Sequence, residues 1–159
     1  MSERARQLPV IDGWFTTDPD SPHLIGGRCP ECGTYVFPPR AADCPNPACG
    51  SAVLESTPLS RRGRVWSFTE NRYAPPPPYA ASDPFEPYAL AAVELEEEGL
   101  VVLGQVARGV LAADLRVGME MQLGVQVLDR DDDHEYLVYV WEPAAPTTPA
   151  TPAASEAVL

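Results

Sequence analysis

The chain has 159 residues, a formal net charge of −12, 45% hydrophobic residues and 19 prolines, a composition that fits one compact domain plus one small module. All eleven of its basic residues are arginines, so no side-chain amine is present to form a Schiff base, and class I aldolase chemistry on this chain is excluded. Tyr73 to Glu142 sets three arginines against fourteen acids, which argues against bulk nucleic-acid binding; with no transmembrane run and no targeting segment, the expected location is the cytoplasm.

Residues 1–23 read as an N-terminal docking segment. Pro9 to Phe15 carries an apolar cluster, and Asp18-Pro19-Asp20-Ser21-Pro22 then breaks any helix. Trp14 and Phe15 are candidates for packing either on this chain's own core or on a partner. His23 to Arg28 leads as a strand into the most informative part of the chain, a module over residues 24–56.

There the only four cysteines fall as two pairs, Cys29-Pro30-Glu31-Cys32-Gly33 and Cys44-Pro45-Asn46-Pro47-Ala48-Cys49-Gly50. Each pair offers two thiolates from one tight turn, and the glycine after each second cysteine permits the positive φ that such a turn needs. A disulfide framework calls for an oxidising compartment that nothing here indicates. A redox pair leaves the second pair unexplained and lacks a thioredoxin-like strand and helix. The layout is that of a rubredoxin-like zinc ribbon, with Cys29, Cys32, Cys44 and Cys49 as ligands. Four thiolates close the tetrahedron, so the zinc is structural, and it supplies folding free energy to a segment too poor in apolar residues to make its own core. Thr34 to Arg40 is the return strand.

From residue 57 to 142 the pattern changes to period-two strands at Gly63–Arg72, Tyr88–Leu95, Leu100–Arg108, Met119–Leu128 and Tyr136–Glu142. Glu96 to Gly99 and Asp129 to His134 form hairpin turns, and Leu111 to Gly118 is a longer crossing. Five strands with a longer connection after the third fit an OB-fold barrel, so the chain as a whole is mostly β. The last strand is apolar on both faces, one expected in the core and the other at a contact surface. Pro75 to Pro78 presets an extended loop, either a stiff spacer or a docking and ligand loop, with Tyr73, Tyr79, Phe85 and Tyr88 clustered around it. Residues 143–159 read as a disordered, proline- and alanine-rich tail. His23 and His134 lie beside no evident nucleophile.

Several of these runs carry a resemblance: Trp14-Phe15 ahead of Leu24 to Gly33, then Pro38-Pro39-Arg40, Cys44-Pro45, Gly63 to Thr69 and Pro87 to Leu95. Together they resemble the zinc-ribbon plus OB-fold proteins, long labelled a domain of unknown function, that accompany thiolase-superfamily enzymes acting on acyl-CoA. The second knuckle departs from the commoner spacing by having four intervening residues. The resemblance implies a non-catalytic accessory subunit that sits against a thiolase-like or sterol-carrier-type partner, two copies of each, and helps form the acyl-CoA site. The tail looks most like that of partners of aldolases that cleave the side chain of steroid CoA thioesters. On that reading Arg61, Arg62, Arg64, Arg72 and Tyr73 are candidates to face CoA, because arginine forks and aromatic faces suit its phosphates and adenine. Trp14, Phe15, Tyr79, Phe85 and Tyr88 are candidates to face the partner. An accessory subunit of a thiolase or condensing enzyme, and a nucleic-acid-binding module, are the competing expectations.

Overall fold

In the computed structural model, residues 5–40, 43–78 and 81–145 are described. Nine strands run in chain order: β1 (Arg6–Pro9), β2 (Ile25–Arg28), β3 (Tyr35–Val36), β4 (Glu55–Pro58), β5 (Arg62–Asn71), β6 (Tyr88–Leu95), β7 (Leu100–Val106), β8 (Glu120–Arg130) and β9 (His134–Pro143). A single 3-10 turn at Ala112–Asp114 interrupts the crossing between β7 and β8. No helix among these residues is long and apolar enough to cross a membrane.

Strands β5 to β9 close into a five-stranded barrel. β6 pairs antiparallel with β5 and β7, β8 pairs antiparallel with β5 and β9, and β7 meets β9 in a short parallel contact at Gln105–Val140 and Val106–Trp141. This is the order of an OB-fold, in which the third and fifth strands run parallel. The alternation that the sequence predicts is clearest in β6, where Ala89, Ala91, Val93 and Leu95 are buried and the residues between them turn outward. Small alanines on that inner face leave room for Trp141 and Met121, which are fully buried. Trp141 donates its indole N–H to the Val102 carbonyl (3.2 Å), and Tyr139 donates its hydroxyl to the Leu103 carbonyl (2.8 Å). Gly104 makes this possible, since a Cβ there would lie 2.9–3.0 Å from the two aromatic rings.

The three-stranded ribbon sheet has β2 at its centre, flanked by β3 and β4. It is not an independent body. Phe15, Leu24 and Leu59 belong to the same buried cluster as the barrel residues, and Phe15 and Phe37 both meet the Tyr139 ring edge-on at 5.7 and 6.3 Å. The ribbon thus packs on the barrel through one shared core.

Four features differ from the expectations. β1 falls within the docking segment and adds to the barrel by pairing parallel with β9, because an extended run beside the β9 edge satisfies amides that would otherwise be left open. β4 joins the ribbon, where its register with β2 satisfies the second edge of that strand. The return strand contracts to Tyr35–Val36 before Pro38, which has no amide to donate. The second face of β9 offers no free contact surface at Val140, which is fully buried. In addition, Pro143 ends β9 opposite Met121, while residues 146–159 of the expected tail lie outside the described residues.

The β8–β9 hairpin is locked by Asp131. Its carboxylate accepts from the Tyr136 hydroxyl (2.7 Å) and from the amides of Asp133 (2.9 Å) and His134 (2.7 Å). These donors, Tyr136 first, hold its pKa down at about 2 and push that of Tyr136 up. Since the folded value lies below the ordinary carboxylate value of about 3.9, the contribution is present above that pH and is lost on acidification toward pH 2. A carboxyl NMR titration of Asp131 should show its midpoint near 2; a midpoint near 4 would mean that the turn does not hold this network.

Candidate functional site

The metal centre is assembled by two turns that the ribbon sheet brings together. In the first, the Gly33 amide donates to the Cys29 carbonyl, and Gly33 takes φ 77° so that the chain can reverse into β3. In the second, the Cys49 amide donates to the Asn46 carbonyl, and Gly50 takes φ 68°. The longer second knuckle is accommodated by Asn46, whose side chain accepts from the Ala48 amide at 3.0 Å. The four sulfurs all lie within 4.8 Å of one another, with Cys29–Cys49 at 3.7 Å and Cys32–Cys44 at 3.5 Å. A tetrahedral zinc with bonds of about 2.3 Å requires sulfurs about 3.8 Å apart. A disulfide would bring a pair to about 2.05 Å. The donor set therefore fits a structural zinc.

The thiols are not alike. Cys32 is lowered to about 6, first by the Thr34 hydroxyl 3.1 Å from its sulfur and then by the Thr34 amide. Cys29 is lowered chiefly by the Cys32 amide. At Cys49 the Ser51 amide pulls downward, but desolvation and the three neighbouring thiols outweigh it and push the group up to about 12. Cys44 is raised by burial. Four thiolates so close together need a cation among them, so metal uptake displaces protons from the second knuckle and weakens on acidification. Zinc held here has all four positions filled by sulfur and serves the fold.

The other predicted residues are dispersed. Arg61 is tied inward: its Nε donates to the Pro22 carbonyl (2.9 Å), fastening the N-terminal segment to the barrel. Arg62 and Arg64 point outward from β5 and make single ion pairs, with Glu120 at 3.8 Å and Glu96 at 3.4 Å. They lie along a shallow surface depression of about 490 Å³. Arg72 pairs with Glu70 at 2.8 Å, and Tyr73 beside it is 82% exposed. Phe15 is buried in this chain's own core, and Trp14 packs edge-on against Phe37 at 5.5 Å. Phe85 and Tyr88 meet edge-on at 6.3 Å, and Asn71 donates its amide to the Tyr88 hydroxyl at 2.9 Å. Tyr79 lies outside the described residues.

Phe85 and Tyr88 form one wall of a cleft of about 470 Å³ beneath the proline-rich loop, whose other wall carries Arg108, Val110 and Gln126. Arg108 is held there by donating to the Val127 carbonyl at 2.9 Å. Sequence reasoning missed this wall because its members come from the ends of β7 and β8 and share no local motif. It also missed Trp66, whose neighbours on an open sheet face are set only by strand register.

A closed four-thiolate knuckle joined to a five-stranded barrel defines a zinc-ribbon plus OB-fold protein. Residues 17–55 match the rubredoxin-like zinc ribbon domain of ChsH2, and residues 56–126 match the ChsH2 C-terminal OB-fold domain. A DUF35 domain-containing scaffold protein of Pyrococcus furiosus is 36% identical over 116 residues, 73% of this chain and 78% of the relative. The benzoylsuccinyl-CoA thiolase subunit BbsA of Thauera aromatica is 43% identical over 54 residues, 34% of this chain and 35% of that protein. Among solved structures, the Ltp2-ChsH2(DUF35) aldolase superposes with a TM-score of 0.57 and 28% identity, covering 77% of this chain and 86% of the matched one. The chain belongs to the DUF35/ChsH2 family.

Proposed function

We propose that this chain is a non-catalytic, cytoplasmic accessory subunit of a carbon–carbon lyase, assembled with a thiolase-like partner as two copies of each and helping to form the site for a steroid side-chain CoA thioester. The observation that carries this reading is the likeness to the Ltp2-ChsH2(DUF35) aldolase over 77% of the chain, spanning ribbon and barrel together. In a retro-aldol cleavage the β-hydroxyl loses its proton to a base, and the Cα–Cβ bond breaks. Cβ becomes a ketone, while Cα keeps the electron pair as a thioester enolate that is then protonated to a shorter acyl-CoA. We assign the acid and base to the partner. The likeness to BbsA favours a second reading, in which the same subunit serves a thiolase acting on another acyl-CoA.

Within this reading, Arg62 and Arg64 are the arginines best suited to face CoA at the subunit junction. Among the described residues each makes one long, exposed ion pair, which a phosphate can replace with little loss. Arg72 and Tyr73 are further candidates, whereas Arg61 serves the fold. A tagged copy isolated from its native cells should carry a stoichiometric thiolase-like protein, and the pair should cleave steroid CoA thioesters. Replacing Arg62 and Arg64 by alanine should raise the KM of that pair about tenfold, the size expected for a lost charge-assisted contact. A chain recovered alone overturns the accessory reading, turnover by the chain alone overturns the assignment of catalysis to the partner, and an unchanged KM removes these arginines from the site.

A further inference from the structure

β5, β6 and β7 turn one face of the barrel wall toward solvent, and its middle is apolar. Trp66 is 62% exposed, Leu103 61% and Val101 47%. Register places them together: Ser67, Ala92 and Leu103 form one row across the three strands, and Arg64, Glu94 and Val101 form the next. Trp66 sits between these rows, at the point where the β5–β6 register shifts between Val65 and Ser67. A β-bulge of this kind re-aims a side chain, and here the extra residue is a tryptophan held out of a core that its neighbour Val65 enters. Isolated exposed apolar residues need no explanation, but a tryptophan, a leucine and a valine on one wall do.

The surroundings resemble the rim of an interface. Arg62 and Arg64 precede Trp66 along the outward side of β5, and Glu94, Glu96 and Glu120 lie about them, giving an apolar centre with a charged border. Tryptophan and arginine are also the residue types on which binding energy concentrates. β6, the middle strand of this wall, is paired along both edges, with β5 and with β7, so at its centre a partner meets side chains rather than a strand edge. Two other faces are covered by the chain itself: β1 lies along β9, and the ribbon aromatics pack against Tyr139.

Charge decides the occupant. A second copy would bring another chain of net charge −12 against this one, a like-charge approach that a partner with a basic border avoids. Residues 146–159, rich in proline, alanine and threonine, offer no aromatic anchor to match Trp66. We propose that this wall, centred on Trp66 and Leu103, is the face that docks the thiolase-type partner, through an apolar patch on the partner bordered by basic residues. This rests on the accessory-subunit reading, and it places Arg62 and Arg64 at the edge of the subunit contact.

The test uses the full chain co-expressed with the thiolase-superfamily proteins of its own organism, followed by affinity measurement on whichever pair co-purifies. Trp66→Ala and Leu103→Ser are compared with Val117→Ser, an equally exposed residue in the β7–β8 crossing. Zinc content and thermal melting of each variant serve as checks on folding. Trp66→Ala should weaken the pair about 30-fold or more, and Leu103→Ser should act in the same direction, while Val117→Ser leaves affinity unchanged. Failure of the wild-type chain to bind any such protein defeats the accessory reading itself. Normal wild-type binding with normal Trp66→Ala and Leu103→Ser binding defeats only the assignment of this face. Self-association abolished by Trp66→Ala would assign the face to a second copy, and tighter partner binding on removal of residues 146–159 would assign it to the tail; either result overturns the proposal.

Discussion

Replacing Cys29 by serine should abolish zinc retention and unfold the ribbon from about Leu24 to Val53. Cys29 is fully buried, its sulfur lies 3.7 Å from that of Cys49, and its amide and carbonyl hold the first turn. Apart from the metal, the ribbon rests on one short two-residue strand, a four-residue β2–β4 ladder and a few buried side chains. Structural zinc in comparable small modules supplies about 10–16 kcal/mol near neutral pH, as much as the whole stability of an ordinary domain, about 5–15 kcal/mol. The damage should also reach the barrel, since Leu24 and Leu59 are buried in the shared core. Metal analysis should fall from one zinc per chain to none, and amide exchange should become fast across the ribbon. A chelator should produce the same state in the wild-type chain and leave four titratable thiols. A Cys29→Ser chain that keeps zinc and native exchange would refute the closed four-thiolate centre.

Trp141→Ala should be the most damaging single truncation in the barrel, by about 3–5 kcal/mol. The side chain is fully buried on β9 at the short parallel contact with β7, where the ladder pairs only two residues from each strand. Its indole N–H and the Tyr139 hydroxyl add bonds to the Val102 and Leu103 carbonyls and so reinforce that seam. Truncation leaves a cavity facing Gly104, which has no side chain with which to fill it, and removes the donor to Val102. Trp141→Phe should retain much of the volume but lose the indole hydrogen bond and leave the Val102 carbonyl unpaired by that donor, a polar loss of about 1–3 kcal/mol, so it should be milder than Trp141→Ala. Urea unfolding followed by far-UV dichroism measures both variants; a midpoint unmoved by Trp141→Ala would show that the seam is closed by other contacts.

The sequence by itself determined the features whose physical cause is local. Paired cysteines in tight turns specify a zinc centre, because the ligands and the φ > 0 glycines Gly33 and Gly50 lie within a few residues of one another. Alternation in β6 and β8 specifies strands and, with the turn residues between them, a barrel of five. Tertiary structure alone decided what depends on pairings across long separations. Residues 6–9 become a strand only because His134 to Leu137 present an edge to them. Arg61 becomes a brace because Pro22 lies 2.9 Å from it, while Arg62, its sequence neighbour, faces solvent and Glu120. Trp66 and Leu103 come to share one open wall only through the register of three strands and a bulge, since a shift of one residue would send the side chains of a strand to the opposite face.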